Sequence, residues 1–177
     1  MKKYADNTQP ETASTTAKQA GFTLIEILVV IGLIAILAAI VIIAINPARQ
    51  FAQGRNSQRT SNVNAILNGV GQYIADNKGN LPTEITAAVQ SVANTGADLC
   101  NTLVSTYLPS LVVDPNVDPD GVGALAQGEP VPKASCGGAY NTGYTIVHDA
   151  VNRVTVCSPN SGTEPSLPGT AAICVTR

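Results

Sequence analysis

Glu26 is the residue of this chain whose type and position most clearly suggest chemistry. It lies between Leu24-Ile25 and Ile27-Leu28, and it opens a run of nineteen uncharged, mostly apolar residues, 27–45. A run of that length is what one helix needs to cross the ~30 Å hydrocarbon layer of a membrane. Because an ionisable group at the edge of lipid is costly, it usually marks a function or a partner. The alternative is a carboxylate that merely complements the dipole of the first helical turn.

The segment from Gly21 to Glu26 carries a family resemblance. Gly-Phe-Thr-Leu-Ile-Glu followed by an apolar helix resembles the class III signal of type IV pilins and type II secretion pseudopilins. The resemblance implies cleavage after Gly21 by a prepilin peptidase and N-methylation of the new terminus, Phe22. It also implies that Glu26 pairs with the methylated amine of Phe22 on a neighbouring subunit. Under this interpretation Glu26 directs the assembly of a helical filament.

Four cysteines follow the apolar segment and none precedes it: Cys100, Cys136, Cys157 and Cys174. An even number on one side of a membrane indicates disulfides in an exported compartment. Loop length favours Cys157 with Cys174 and Cys100 with Cys136, although the sequence alone does not choose among the three pairings. A zinc site is disfavoured because the chain has no C-x-x-C spacing and one histidine.

One loop has the spacing of a calcium site in its first half. Its three weak candidate ligands are Asn116, Asp118 and Asp120, with Asp114 as a further carboxylate. Gln127 stands where the bidentate glutamate of such a loop belongs, and Pro119 stiffens the loop. An ordinary Asp-Pro turn is therefore favoured over a calcium site, and we expect no cofactor.

Catalysis and nucleic-acid binding find little support in the sequence. His148 is the single histidine, so a histidine-based triad or metal cluster would rest on that residue alone. Gly121-Val122-Gly123 lacks the third glycine of a dinucleotide fingerprint. The net charge is −2, and no basic cluster is present to neutralise several phosphates. We expect a protein that is not an enzyme.

Three segments are predicted along the chain. Residues 1–21 form a leader that the peptidase removes, 22–46 a transmembrane and filament-core helix, and 47–177 an extracytoplasmic globular domain. The cysteines place this domain outside the cytoplasm. We expect a single-pass protein of the cytoplasmic membrane before assembly, and a surface or periplasm-spanning filament afterwards.

The fold class predicted is α+β and pilin-like, with a long N-terminal helix packed on a small antiparallel sheet. Proline at position 47 predicts a kink in that helix. Beyond it, apolar residues recur at helical spacing and form one face: Val63, Ile66, Leu67, Val70, Tyr73 and Ile74. Residues Asn77 to Asn80 are a stop signal. The arginines at 55 and 59 are assigned to polar positions between and around this face.

The remaining elements follow from local composition. Runs rich in β-branched residues predict strands at 144–148, 153–157 and 172–176, the first two joined as a hairpin. Short helices are predicted at 84–93 and 98–108. Proline and glycine predict an irregular loop over 114–139.

The function predicted is a prepilin-like structural subunit that is polymerised into a type IV pilus. Its partners would be copies of itself, the prepilin peptidase, and an assembly ATPase with its inner-membrane platform. One alternative is a type II secretion or competence pseudopilin. An alternative of another class is a monomeric, membrane-anchored extracytoplasmic binding domain.

Overall fold

The computed structural model describes residues 21–121 and 125–177. The predicted leader, apart from Gly21, lies outside the described residues. The chain divides into two units, Met1–Ile45 and Asn46–Arg177.

The described part of the first unit contains one helix, α1 (Leu24–Ala44). Its residues are apolar or small all round, except for Glu26, so it has no polar face to turn toward water. The side chains from Leu24 to Ile42 are exposed. Within the described residues, Leu24–Ile42 is the one stretch of helix long and apolar enough to cross a membrane, with a mean hydropathy of 3.2.

The second unit begins with α2 (Pro47–Asp76). The sequence predicts a kink near Pro47, and here one helix ends at Ala44 and a new one begins at Pro47. Pro47 occupies the first helical position, where its missing N–H is no loss, and the Asn46 side chain accepts a hydrogen bond from the Arg49 backbone N–H at 3.2 Å. At the other end the helix stops as predicted, because Gly79 adopts a positive φ of 88° and its N–H bonds back to the Ile74 carbonyl at 2.8 Å.

The main sheet has four antiparallel strands in the order β1-β4-β5-β6, and a separate pair, β2 and β3, is antiparallel as well. The strands are β1 (Gln90–Ala93), β2 (Ser110–Leu111), β3 (Val131–Pro132), β4 (Asn141–His148), β5 (Val154–Ser158) and β6 (Ile173–Thr176). Strands β4, β5 and β6 confirm the three predicted strands and the hairpin. Strand β3 lies inside the segment predicted to be irregular, and a 3₁₀ turn, Lys133–Ser135, follows it.

Of the two predicted short helices, the first is wrong in type and the second is wrong in length. The segment predicted as a helix from Glu84 to Ala93 ends in strand β1, which pairs with β4 through the partners Gln90 and Ile146. Because this pairing joins residues far apart in sequence, it cannot be predicted from local helix propensity. The second predicted helix, 98–108, is reduced to α3 (Leu99–Leu103).

The core lies between α2, α3 and the sheet. Val63, Ile66, Leu67 and Val70 of α2 are buried against apolar residues of the sheet and of α3, as the helical spacing predicts. Tyr73 and Ile74 are half-buried at the edge of this core. The architecture is α+β and pilin-like: an apolar N-terminal helix, then a helix that packs on a four-stranded antiparallel sheet.

Candidate processing and assembly segment

The Gly21–Phe22 bond, where the sequence predicts cleavage, precedes the first helix. Residues 21–23 lie outside α1, and Phe22 is 84% exposed. Proteases reach exposed segments outside regular structure most readily. The bond is therefore accessible to a peptidase, and the cleavage itself stays a prediction.

Thr23 and Glu26 form a reciprocal cap at the start of α1. The Glu26 Oε2 atom accepts hydrogen bonds from the Thr23 backbone N–H at 2.9 Å and from its hydroxyl at 2.8 Å. In return the Thr23 hydroxyl oxygen accepts from the Glu26 N–H at 3.3 Å. This arrangement is a capping box, and it satisfies two helix-end donors that would otherwise have no partner.

The cap holds the Glu26 carboxylate at the N-terminal end of α1 through Thr23, the residue that follows Phe22. Between residues 22 and 48 no other side chain is ionisable. The alternative that the sequence left open, a carboxylate that stabilises the first turn of its own helix, is thus observed in a single chain. Pairing with the Phe22 amine of a neighbouring subunit requires a second chain, and it stays a prediction.

Residues 16–44 match the family model described as the prokaryotic N-terminal methylation motif. The match spans Gly21, Phe22, Glu26 and the whole of α1. The N-terminus carries a class III signal of the type IV pilin and pseudopilin kind. The motif and the apolar helix together support a prepilin-like structural subunit, anchored in a membrane and processed by a prepilin peptidase. No curated protein and no solved structure matches the chain.

The four cysteines of this prepilin-like chain form two disulfides within the described C-terminal unit: Cys100–Cys136 and Cys157–Cys174. These are the two pairs that loop length favours. The first is buried and ties α3 to the turn after β3. The second joins directly opposed residues of β5 and β6, and its Cys174 is exposed. The first disulfide therefore braces a part of the domain with little regular structure, whereas the second cross-links two paired strands.

A buried group of charges is the feature that the sequence analysis missed. Arg59 and Asp114 are fully buried, and the Glu164 side chain is 1% exposed. The Arg59 guanidinium donates to both oxygens of Asp114, at 2.7 and 3.0 Å, and to Oε1 of Glu164. Arg55 adds two bonds to Glu164, at 2.9 and 2.6 Å. Two arginines and two carboxylates thus form a charge-balanced cluster.

Through its ion pairs, this cluster attaches two loops to α2. Asp114 follows β2, and Glu164 follows the 3₁₀ turn Pro159–Thr163. Hydrogen bonds from the Arg55 and Arg59 guanidinium groups hold the pKa of Glu164 at about 2, against an ordinary value of 4.5. The sequence does contain a signal for Arg59. It precedes Val63 by four residues and Ile66 by seven, which places it on the buried stripe of α2.

The calcium candidates are used for loop structure. The Asn116 side-chain amide donates to Glu164 at 3.3 Å, while Asp114, the further carboxylate, is taken by Arg59. Asp118 accepts from the Gly121 N–H at 3.2 Å, and Asp120 accepts from the Leu125 N–H at 2.9 Å. In the described ranges, 21–121 and 125–177, no three His, Cys, Asp or Glu residues are grouped to hold a metal ion.

Two further polar residues, the half-buried His148 and the buried Tyr144, lie on strand β4. His148 ends β4, opposite Val154 of β5, and its Nδ1 lies 2.9 Å from the Asp149 carbonyl oxygen. Tyr144 is fully buried, and its hydroxyl oxygen accepts a hydrogen bond from the Asn62 amide at 2.9 Å. Burial raises the pKa of Tyr144 to about 12. Tyr144 therefore belongs to the packing of the core, whereas the recorded contact of the His148 side chain is to the adjacent residue.

Proposed function

We propose that this chain is the precursor of a type IV pilus subunit, cut after Gly21, N-methylated at Phe22 and polymerised through α1. The observation that carries the proposal is the methylation motif over residues 16–44, together with the single carboxylate of Glu26 at the start of an exposed apolar helix. An apolar helix of this length is stable in lipid, and it is equally suited to a bundle of identical helices.

Cleavage would create the charge that Glu26 needs. Before cleavage, the Phe22 nitrogen is an uncharged amide; afterwards it is an amine that stays positively charged when methylated. In a low-dielectric layer, an unpaired carboxylate is costly, and its pairing with a neighbour's amine relieves that cost. The pair would therefore set the register of each arriving subunit. The bonds to Thr23 keep the carboxylate in place until the subunit arrives.

The two disulfides and the loop-rich C-terminal domain favour a pilus over a pseudopilus, because they suit an exposed fibre surface. In this proposal, the C-terminal domain faces outward from the cytoplasmic membrane before assembly. The partners are the prepilin peptidase, an assembly ATPase with its inner-membrane platform, and further copies of this chain. A pseudopilin of type II secretion or competence would carry the same N-terminal signal. Sheared surface fibres containing this chain identify a pilus, whereas a secretion defect without such fibres identifies a pseudopilus.

Mass spectrometry of the mature N-terminus and the substitution Glu26→Val test this function. We expect a mature chain that begins with N-methylated Phe22, both in the wild type and in Glu26→Val. Filaments should be lost in Glu26→Val, because the amine of the neighbouring subunit then has no partner. Leu28→Val is the matched control, since it changes the same helix without removing the charge, and it should leave filaments intact.

Two outcomes would contradict the proposal. A chain that still begins at Met1, or that is unmethylated at Phe22, would contradict the proposed processing. Intact filaments in Glu26→Val remove the assembly role of Glu26. A wild-type protein that is processed but stays monomeric in the membrane would favour a tethered binding domain instead.

A further inference from the structure

Phe51 is an aromatic side chain without a partner on the surface of α2. It is 69% exposed, and it is the one exposed aromatic residue in the described part of the C-terminal unit. The other large apolar side chains exposed there are Val89 and Val151, both 70% exposed. An exposed aromatic ring is a common anchor for a partner, because it buries a large area with few rotatable bonds.

The same helix forms one wall of a groove that can receive such a ring. The groove has a volume of about 570 Å³ and lies between the second half of α2 and the start of β5. Leu67, Gly71, Ile74 and Ala75 line it from α2, and Val154 lines it from β5. A side chain added at Gly71 would meet no atom within 4 Å, so the groove is open at this point. We name this feature the α2 groove.

We propose that the α2 groove receives Phe51 of a second copy of this chain. The inference rests on the proposed function, because it assigns one of the contacts that neighbouring subunits make in the filament. Phe51 and the groove are different surfaces of one molecule. A contact between different surfaces is heterologous, and when its rotation does not close it generates an open helical array.

The positions along α2 fit such an array. Gly71 follows Phe51 by roughly 20 residues, which is about five and a half turns at 3.6 residues per turn. The two residues therefore lie on opposite sides of α2 and are separated by about 30 Å along its axis. A neighbour whose α2 runs parallel, displaced by about this distance, can present its Phe51 to the groove without turning around.

The charges at the groove favour an aromatic occupant. Arg153 and Arg177 line the groove, and the Arg153 side chain is 66% exposed. Guanidinium groups are attracted to the negative face of an aromatic ring, and Arg makes such contacts more often than Lys does. Arg153 pairs with Asp149, and Arg177 donates to the side chains of Asn64 and Asn68. Because hydrogen bonds made at the edge of a guanidinium do not occupy its face, an apolar floor with these arginines beside it is complementary to a phenyl ring.

The area of the contact favours a second copy over a free soluble partner. One aromatic side chain buries about 150–250 Å², whereas stable complexes bury about 800 Å² on each partner. This contact is therefore too small to hold two free molecules together. It gains strength where other contacts already hold copies side by side, since the second contact is then effectively intramolecular.

Cysteine cross-linking tests the contact in assembled protein. Full-length Phe51→Cys and Gly71→Cys chains are co-expressed, and their filaments are oxidised and analysed by peptide mapping. We expect a disulfide between positions 51 and 71 of different copies. The matched control replaces Phe51→Cys by Val89→Cys, at an equally exposed site, and should give no such link. Filaments that contain both variants without a link from 51 to 71 would overturn the proposal.

Truncation of the ring gives an independent measurement. Phe51→Ala should lower filament yield by about tenfold or more, the effect of losing an anchor residue, while Val151→Ala should leave it unchanged. The unfolding midpoint of Phe51→Ala should match the wild type, because the ring is exposed within one chain. An unchanged yield would contradict the docking of Phe51 and leave the proposed function standing. Absence of filaments in the wild type would contradict the proposed function, and this contact with it.

Discussion

Glu26 and Glu164 are two carboxylates that the molecule treats in opposite ways. Glu26 lies on an exposed helix, and its bonds run to Thr23, three residues away. Glu164 is buried and is bonded to two arginines more than a hundred residues earlier in the chain. Glu26 finds its hydrogen-bond donors within its own helical turn, whereas Glu164 finds its donors only through the tertiary fold.

This difference separates a charge that we propose to await a partner from a charge that the fold pairs within one chain. A buried carboxylate must be paired within the chain, because an unpaired charge in the interior is strongly destabilising. An exposed carboxylate of a single chain is solvated by water and needs no partner. Its charge becomes energetically costly only in lipid or in a bundle of helices. Substitutions at Glu26 should therefore change assembly, and substitutions around Glu164 should change stability.

Loss of Arg59 should have the largest effect on stability. Arg59→Ala leaves Asp114 buried without an arginine partner and Glu164 with Arg55 alone, so we expect the free energy of unfolding to fall by about 3–5 kcal/mol. Arg153→Ala is the control, because its pair with Asp149 is exposed and such pairs contribute about 0–1 kcal/mol. Urea unfolding of the full chain in detergent measures both. Equal losses in the two variants would show that burial of the cluster adds nothing.

The two disulfides should differ more in reactivity than in stabilisation. Their sequence separations of 36 and 17 residues correspond to about 4 and about 3 kcal/mol in the chain-entropy treatment. The Cys157–Cys174 bond should be reduced first under mild thiol treatment, because Cys174 is exposed and Cys100 and Cys136 are buried. Timed alkylation with peptide mapping measures the order. Simultaneous reduction of both bonds, at concentrations that leave the fold intact, would contradict it.

Acid should weaken the domain through Glu164. Its pKa in the folded state is about 2, below the ordinary 4.5, so the unfolded chain binds a proton first as pH falls. The stabilisation is complete above about pH 4.5 and is lost progressively toward about pH 2. Unfolding midpoints of the wild type and Glu164→Gln, compared across this range, should converge at low pH. A constant difference between the two would exclude Glu164 as the source.

The smallest effect is expected at the start of α1. Thr23→Ala removes the two hydroxyl contacts of the cap and should destabilise the first turn by about 0.5–2 kcal/mol, without changing the unfolding of the C-terminal domain. Amide exchange of the first turn, in detergent, measures the loosening. Thr23→Ser is the matched control, because it keeps the hydroxyl. Equal protection in Thr23→Ala and Thr23→Ser would show that the threonine hydroxyl does not hold Glu26.

Local sequence patterns predict the elements whose causes are local. The apolar composition of 24–44 suffices for α1, and the β-branched runs suffice for β4, β5 and β6. The stop of α2 also follows from nearby residues, since glycine at position 79 permits the positive φ. Strand β1 escapes prediction because the alanines at 87 and 88 favour a helix locally, whereas pairing with β4 comes from residues some fifty positions later.

The sequence by itself determined the methylation motif around the predicted cleavage site, a carboxylate in the first helical turn, and a helix that is apolar apart from Glu26. These are properties of neighbouring residues and of their solvent. Only the tertiary structure decided that Arg59 is buried between Asp114 and Glu164, and that Phe51 and the α2 groove both remain open. Helical spacing can place Arg59 on an inward face. The two acids that neutralise it come from loops whose positions depend on the folded sheet.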